Sequence, residues 1–318
     1  MGKKIKKDMD AEKPRFISGA LKNKIDEVLA NRVWLLLERF ANYGFNKSHA
    51  AAYALLSYQT CWLKANHPVE FMAAVMNNDI NFTDKLSFYK QELNELGILL
   101  TPPSINKSVE VFSVDSDKII YALGALKNVG IESMRNIIEV RNMDGDFKDI
   151  FDFANRVELR KIGKRSLEML IYAGVFDEIS NNRKQLFQSI DILVEYSNLY
   201  VSEKKTGQNN LFGESNNLLS YPELKLIDDW NISEKLKKEY EAIGFYLSAH
   251  PLDEYSKWFK SKRIIKLSEL NETLKSGPKL IKISGSVLNK QERISNKGNK
   301  FAFIQFSDPS GFFEVTAF

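Results

Sequence analysis

Cysteine is nearly absent from this sequence: Cys61 is the only one in 318 residues. No intramolecular disulfide can form, and no Cys-based zinc site can be assembled. Histidine is almost as scarce. His49, His67 and His250 lie far apart, without metal-ligand spacing. A disulfide-stapled secreted domain and a zinc finger are therefore excluded. Apolar runs of about 18 residues or more are missing too, so no transmembrane helix and no membrane partner are expected. The basic start Met1-Gly2-Lys3-Lys4 leads into Asp8-Met9-Asp10 rather than an apolar stretch. That pattern is not a signal peptide, and it leaves the cytoplasm as the default location. There is no phosphate-binding P-loop, no G-x-S-x-G elbow and no Cys/His dyad. Asp115-Ser116-Asp117 has D-x-D spacing but reads as the tip of a hairpin, where Asp and Ser are ordinary turn formers. Asp144-Gly145-Asp146 is likewise a turn. The residues offer no catalytic set, no metal-ligand set and no cofactor site.

What is present suffices for folded cores: 44% of residues are hydrophobic and 27% charged. The net charge of +4 is compatible with nucleic-acid binding without arguing for it. Apolar spacing predicts helices over Phe16–Tyr43, His49–Ala65, Val69–Asn77 and Asp84–Leu96. In the first, Val28, Leu29, Val33, Leu36, Leu37 and Phe40 form the stripe. Val109–Val114, a turn, and Ile119–Leu123 read as two strands. Helices return at Ile131–Arg141, Asp149–Arg156, Lys164–Ala173 and Arg183–Tyr200. Residues 201–222 are polar and rich in Ser, Asn and Gly, the composition of a flexible linker. Helices are expected at Ser233–Ile243 and Asp253–Lys260. From Lys279 the period becomes two, which predicts at least three antiparallel strands. They stop at Phe318 with an edge that a complete sheet domain would cover, so the chain is expected to be cut off there.

Three motifs stand out. Leu123–Gly130 and Leu159–Arg165 each place a glycine turn before a helix with an apolar face (Met134, Ile137, Ile138; then Leu167, Leu170, Ile171). Both fit helix-hairpin-helix units, in which backbone N–H groups at a helix start meet a DNA phosphate without reading sequence. The candidate DNA contacts are Lys127, Asn128, Val129 and Gly130, then Arg160, Lys161, Gly163, Lys164 and Arg165. Five basic residues (Arg156, Arg160, Lys161, Lys164, Arg165) face one acid, Glu158, around the second turn. Plain helix pairs in a helical core are the competing reading. Next, Gln208-Asn209-Asn210-Leu211-Phe212 puts two large apolar residues in a segment too polar to fold. Such a Leu-Phe pair either tucks onto its own domain or docks elsewhere, with Gln208, Leu211 and Phe212 as the candidate contacts. Finally, Lys47, Ser48 and His49 sit at a helix start, arranged for a phosphate or nucleotide or simply as a capped helix.

These segments resemble the alpha subunits of bacterial DNA polymerase III, the C-family replicative polymerases. The most specific stretch is Tyr43–Lys64, followed by His67-Pro68 and Glu70–Ala74, which is similar to the family's fingers. Tyr121–Gly130 and Leu167–Asp177 resemble its paired helix-hairpin-helix units. Gln208–Phe212 falls where the family carries a clamp-binding peptide, and Gly244–Leu252 precedes its OB domain, which Ile283–Phe318 resembles. The resemblance implies a mainly α chain with a C-terminal β segment. Its expected parts are late fingers (1–108), a β-hairpin with tandem helix-hairpin-helix (109–200), a linker (201–222), a helical connector (223–278) and a truncated, partial OB fold (279–318). It implies primer–template DNA, the sliding clamp and other holoenzyme subunits as partners. Lys47, Ser48 and His49 would face the nucleotide. The OB strands, with Lys290, Arg293, Lys297 and Lys300, would approach single-stranded template. The palm with its catalytic aspartates has no counterpart here. The whole polymerase would need Mg²⁺, and this chain by itself is expected not to polymerise. The rival is a stand-alone, non-catalytic helix-hairpin-helix protein that binds duplex DNA.

Overall fold

The computed structural model describes residues 6–43, 46–206, 220–275, 277–295 and 298–318. They divide into two compact units, residues 1–67 and 68–318. The sequence divisions at 108, 200, 222 and 278 all fall inside the second.

The first unit holds α1 (Lys6–Lys22), α2 (Glu27–Tyr43) and α3 (Lys47–Asn66). The single helix expected over 16–43 is two helices. Lys24 turns left-handed at φ 59°, and the Asp26 carboxylate accepts from the Val28 and Leu29 N–H groups at 3.0 and 3.1 Å, restarting the helix. Trp34 and Ala30 are buried, with Phe16 5.3 Å from the Trp34 ring. The expected stripe is mostly open: Val28 is 76% and Leu36 59% exposed. Residues on α3 are nowhere buried.

In the second unit α4 (Pro68–Asn78) and α5 (Thr83–Leu96) lead into a small sheet of β1 (Leu99–Thr101), β2 (Ser113–Asp115) and β3 (Lys118–Ile120). Its order is β1-β3-β2, with β1 parallel and β2 antiparallel to β3. The strand β1 is an addition to the expected hairpin, and β2 is shorter than expected. Residues 109–112 are held in another way. The Asn77 amide brackets the Phe112 backbone at 2.7 and 2.8 Å, and Val109 and Glu110 carbonyls accept from Leu123 and Gly124. Asp115 and Asp117 do flank a turn, with Ser116 at φ 59° and Lys118 paired to Asp115 at 3.1 Å.

Helices α6 (Ile131–Asp144), α7 (Ile150–Arg156), α8 (Leu159–Ile162), α9 (Lys164–Tyr172), α10 (Arg183–Gln188) and α11 (Ile190–Thr206) follow. The helix expected over 183–200 breaks at Ser189 and then runs on to Thr206, into residues expected as linker. The faces expected to be inward are so: Met134, Ile137, Leu167 and Leu170 are buried in one continuous core with Tyr121, Phe153 and Phe245. Residues 220–231 lie along this body. Tyr221 stacks on Phe151 with ring centroids 4.7 Å apart, and Asn182 and Gln185 donate to the Ile227 and Lys225 carbonyls. The helix α12 (Ile232–Ile243) opens with a capping box, Asn231 and Glu234 each accepting from the other's backbone.

After α13 (Ser256–Ser261) and α14 (Leu270–Leu274) comes an antiparallel sheet, β4 (Ser286–Ile294), β5 (Lys300–Asp308) and β6 (Gly311–Ala317), in that order. The chain is thus mainly α with a C-terminal β segment. His250 ties the sheet to what precedes it. Its Nδ1 accepts from Leu252 N–H at 3.1 Å, which leaves the proton on Nε2, 3.0 Å from Ser307 Oγ. Next to it, Asp308 accepts from the backbone of Leu267, Ser310 and Gly311.

Burial pulls the His250 pKa below its ordinary value of 6.5, aided by Lys90 and opposed by Asp253 and Asp308. The unfolded chain therefore binds a proton more readily, and stability should fall as pH drops through about 6.5 toward the lower folded pKa. Thermal unfolding between pH 7.5 and 5.5 is expected to lose more Tm in the native chain than in His250→Gln. Equal losses would remove His250 as the cause.

Candidate nucleic-acid interface

Four backbone N–H groups at every helix start lack intrahelical partners, and a polar side chain at the N-cap satisfies one or two of them. Asn46, Asp149, Asn182 and Asn231 do this for α3, α7, α10 and α12. The starts of α6 and α9 differ. Their N-caps are Gly130 and Gly163, and neither end has a side-chain cap. Each start points a positive dipole end and unsatisfied donors outward, the arrangement that takes an anion.

The two turns reach this geometry by different routes. In the first, a short 3-10 turn at Leu123–Ala125 depends on Gly124, where a Cβ would stand 2.4 Å from the Glu110 carbonyl oxygen. Asn128 then adopts φ 58°, a left-handed conformation that Asn tolerates better than most residues. In the second, Gly163 itself takes φ 83°, ψ 145°, a region closed to side chains. The hairpins are joined. Ser166, buried in the first turn of α9, donates through Oγ to the Asn128 carbonyl at 3.1 Å. The structure thus brings the two candidate sets, some 35 residues apart in sequence, onto adjoining turns.

The charges are less free than the sequence implies. Lys161 pairs with Glu158 at 2.9 Å, Lys164 with Asp191 at 2.7 Å, and Arg165 with Glu168 at 2.9 Å and Glu241 at 3.1 Å. The Asp191 carboxylate raises the Lys164 pKa, and Glu168 followed by Glu241 raises that of Arg165, so both stay cationic. Arg160 is exposed. Lys127 is half-buried; its N–H donates to the Ala242 carbonyl, and its ammonium lies 5.9 Å from the Tyr240 ring centroid. Arg156, counted among the basic neighbours, is structural. It donates to the Gly145 and Val140 carbonyls and lies over the Phe147 ring at 4.4 Å. Sequence reading missed Ser166, and it missed the acids: Asp191 and Glu241 stand 27 and 76 residues from their partners.

The other candidates are separate. Lys47, Ser48 and His49 form the first turn of α3, as expected, but Asn46 Oδ1 already accepts from Ser48 and His49 N–H at 2.9 and 3.4 Å. His49 stacks on Tyr53, 4.3 Å between ring centroids. Gln208, Leu211 and Phe212 lie outside the described residues. So does Lys297, while Lys290 pairs with Glu292 and Arg293 sits 5.5 Å above the Phe303 ring on the sheet. Among the described residues no group of three or more His, Cys, Asp or Glu side chains could hold a metal ion. No helix there is long and apolar enough to cross a membrane.

Comparison with known proteins agrees with the hairpin geometry. The helix-hairpin-helix motif family matches residues 97–186. The chain is 42% identical over 315 residues to the DNA polymerase III subunit alpha of Caulobacter vibrioides, covering 99% of this chain and 28% of that protein. It is 37% identical over 318 residues to the subunit of the same name from Vibrio cholerae, covering 99% and 27%. For that of Campylobacter jejuni the figures are 38% over 325 residues, covering 100% and 27%. The chain is therefore similar from end to end to this subunit, and spans a little over a quarter of its length.

Proposed function

We propose that this chain holds duplex DNA by its phosphates, as one part of a replicative DNA-directed DNA polymerase. The observation that carries the reading is the pair of glycine-capped helix starts, braced together by Ser166 and Asn128 inside the matched helix-hairpin-helix region. Each offers one phosphate a set of backbone donors, and exposed Arg160, Lys161 and Lys164 lie beside the second. Such contacts ignore base sequence, as a polymerase needs where it grips the product duplex.

Binding to a labelled duplex should therefore be equal for two unrelated sequences. It should weaken with salt at a log–log slope of about −0.9 per phosphate, or roughly −2 to −4 for a few contacts. Strong preference for one sequence, or a flat salt response, would contradict the reading.

Similarity over the whole chain, including residues 1–67, favours a polymerase setting over a bare duplex-binding protein, which needs only the hairpins. In that setting the duplex is the primer–template, the compartment is the cytoplasm, and other holoenzyme subunits are neighbours. Gln208, Leu211 and Phe212 would insert into the sliding clamp. The β4–β5–β6 sheet, with Arg293 over Phe303, would act as an OB-type surface for single-stranded template. Lys47, Ser48 and His49 would approach the nucleotide through side chains, since Asn46 holds two of the backbone donors. The aspartates and Mg²⁺ of the reaction would come from elsewhere in the polymerase, and no step is assigned to this chain.

A further inference from the structure

The carboxylate of Glu241 has an unusual place. Its residue sits near the end of α12, outside the region matched as helix-hairpin-helix, yet its Oε1 lies 3.1 Å from Arg165 in the first turn of α9. Arg165 already has a partner from its own helix, Glu168, at 2.9 Å. Two carboxylates thus share one guanidinium, beside an uncapped helix start. The same end of α12 touches the other hairpin, where the Ala242 carbonyl accepts from Lys127 N–H at 2.9 Å. Lys238, one turn back, approaches Glu241 at 3.6 Å.

Resting on the duplex-binding reading, we propose that Glu241 is the resident counter-ion of Arg165, and that a DNA phosphate engages the second hairpin by displacing it. The guanidinium presents its two terminal nitrogens to two separate carboxylates, and that fork suits a phosphate equally well. Exchange is easy because the pair is wet: the Arg165 and Glu241 side chains are 54% and 42% exposed. Exposed ion pairs contribute little, so a phosphate with its own high charge competes well. The Glu168 pair, within one helix, can persist. Glu241 then acts as a brake. It weakens the grip of the free surface on any polyanion and lets the duplex move through, while α12 becomes part of the duplex-binding surface.

The test is a double-mutant cycle on the full chain, read as duplex affinity at low salt, with Tm as the fold control. Glu241→Gln is expected to tighten binding about threefold, the scale of one exposed pair. Arg165→Ala should weaken binding and lower the salt slope by about 1. In the Arg165→Ala background the Glu241→Gln change should have no effect. Glu241→Ala checks that the Gln amide does not merely inherit the contact; it should tighten binding to the same degree. Equal tightening by Glu241→Gln with and without Arg165 would mean general charge repulsion and overturn the proposal. So would an Arg165→Ala chain that binds as well as the native one. A native chain that binds no duplex at all would overturn the parent reading, and this inference with it.

Discussion

Changing Gln208, Leu211 and Phe212 together to Ala is expected to cost the chain at least about 30-fold in affinity for a bacterial sliding clamp. Burying one large apolar side chain is worth about 1.5–3 kcal/mol, and two are removed. Ordering the peptide takes back part of that sum, leaving about 2–3 kcal/mol, and 1.4 kcal/mol is a factor of ten. The loss should appear in surface-immobilised clamp binding. Duplex affinity and Tm should stay unchanged, because the three substitutions alter neither hairpin turn nor any residue of the buried core. A native chain that ignores the clamp, or a triple variant that binds it undiminished, would remove the clamp from the list of partners.

Gly130→Asp is expected to weaken duplex binding by about 10- to 100-fold, the range for losing charge-assisted hydrogen bonds to one phosphate. The design exploits a difference between the two caps. Gly130 has φ −78°, ψ 127°, which any residue adopts, and an added Cβ meets nothing closer than Ser133 Oγ at 3.6 Å. Aspartate at an N-cap accepts from the next turn's N–H groups and favours the helix dipole. The substitution should thus hold or slightly raise Tm while filling the anion site with a carboxylate. Gly163 does not permit this test, since at φ 83° any side chain brings strain of its own.

Much of this was legible in the sequence for one physical reason: local periodicity reports helices whose buried faces are made locally. Met134, Ile137, Leu167 and Leu170 fall at helical spacing and are all buried. The glycine turns before α6 and α9 were likewise visible, because a tight turn leaves a mark in the residues that make it. What failed was non-local. The strand β1 forms only because β3 lies beside it. Residues 109–112 are β-branched and aromatic enough for a strand, yet Phe112 is captured by the Asn77 amide from 35 residues away. The stripe on α2 predicted a buried face, yet Val28 and Leu36 lie open; periodicity reports which residues share a face, not what covers it. Electrostatics misled in the same way. Five basic residues around the second turn suggested a free cationic surface, but Asp191 and Glu241 arrive from distant helices. Arg156 turned inward over Phe147. At α3 the helix start was legible but its cap was not: Asn46 caps it and occupies two of the backbone donors that an anion would need.

On the proposed reading, a DNA phosphate sits on the glycine-capped start of α6. The most direct test is the salt dependence of duplex binding for the native chain beside Gly130→Asp, with Tm recorded for both. The expected result is weaker binding, a log–log slope shallower by about 0.9, and a Tm equal or higher. An Asp variant that is equally stable and binds duplex with the native affinity and slope would contradict it.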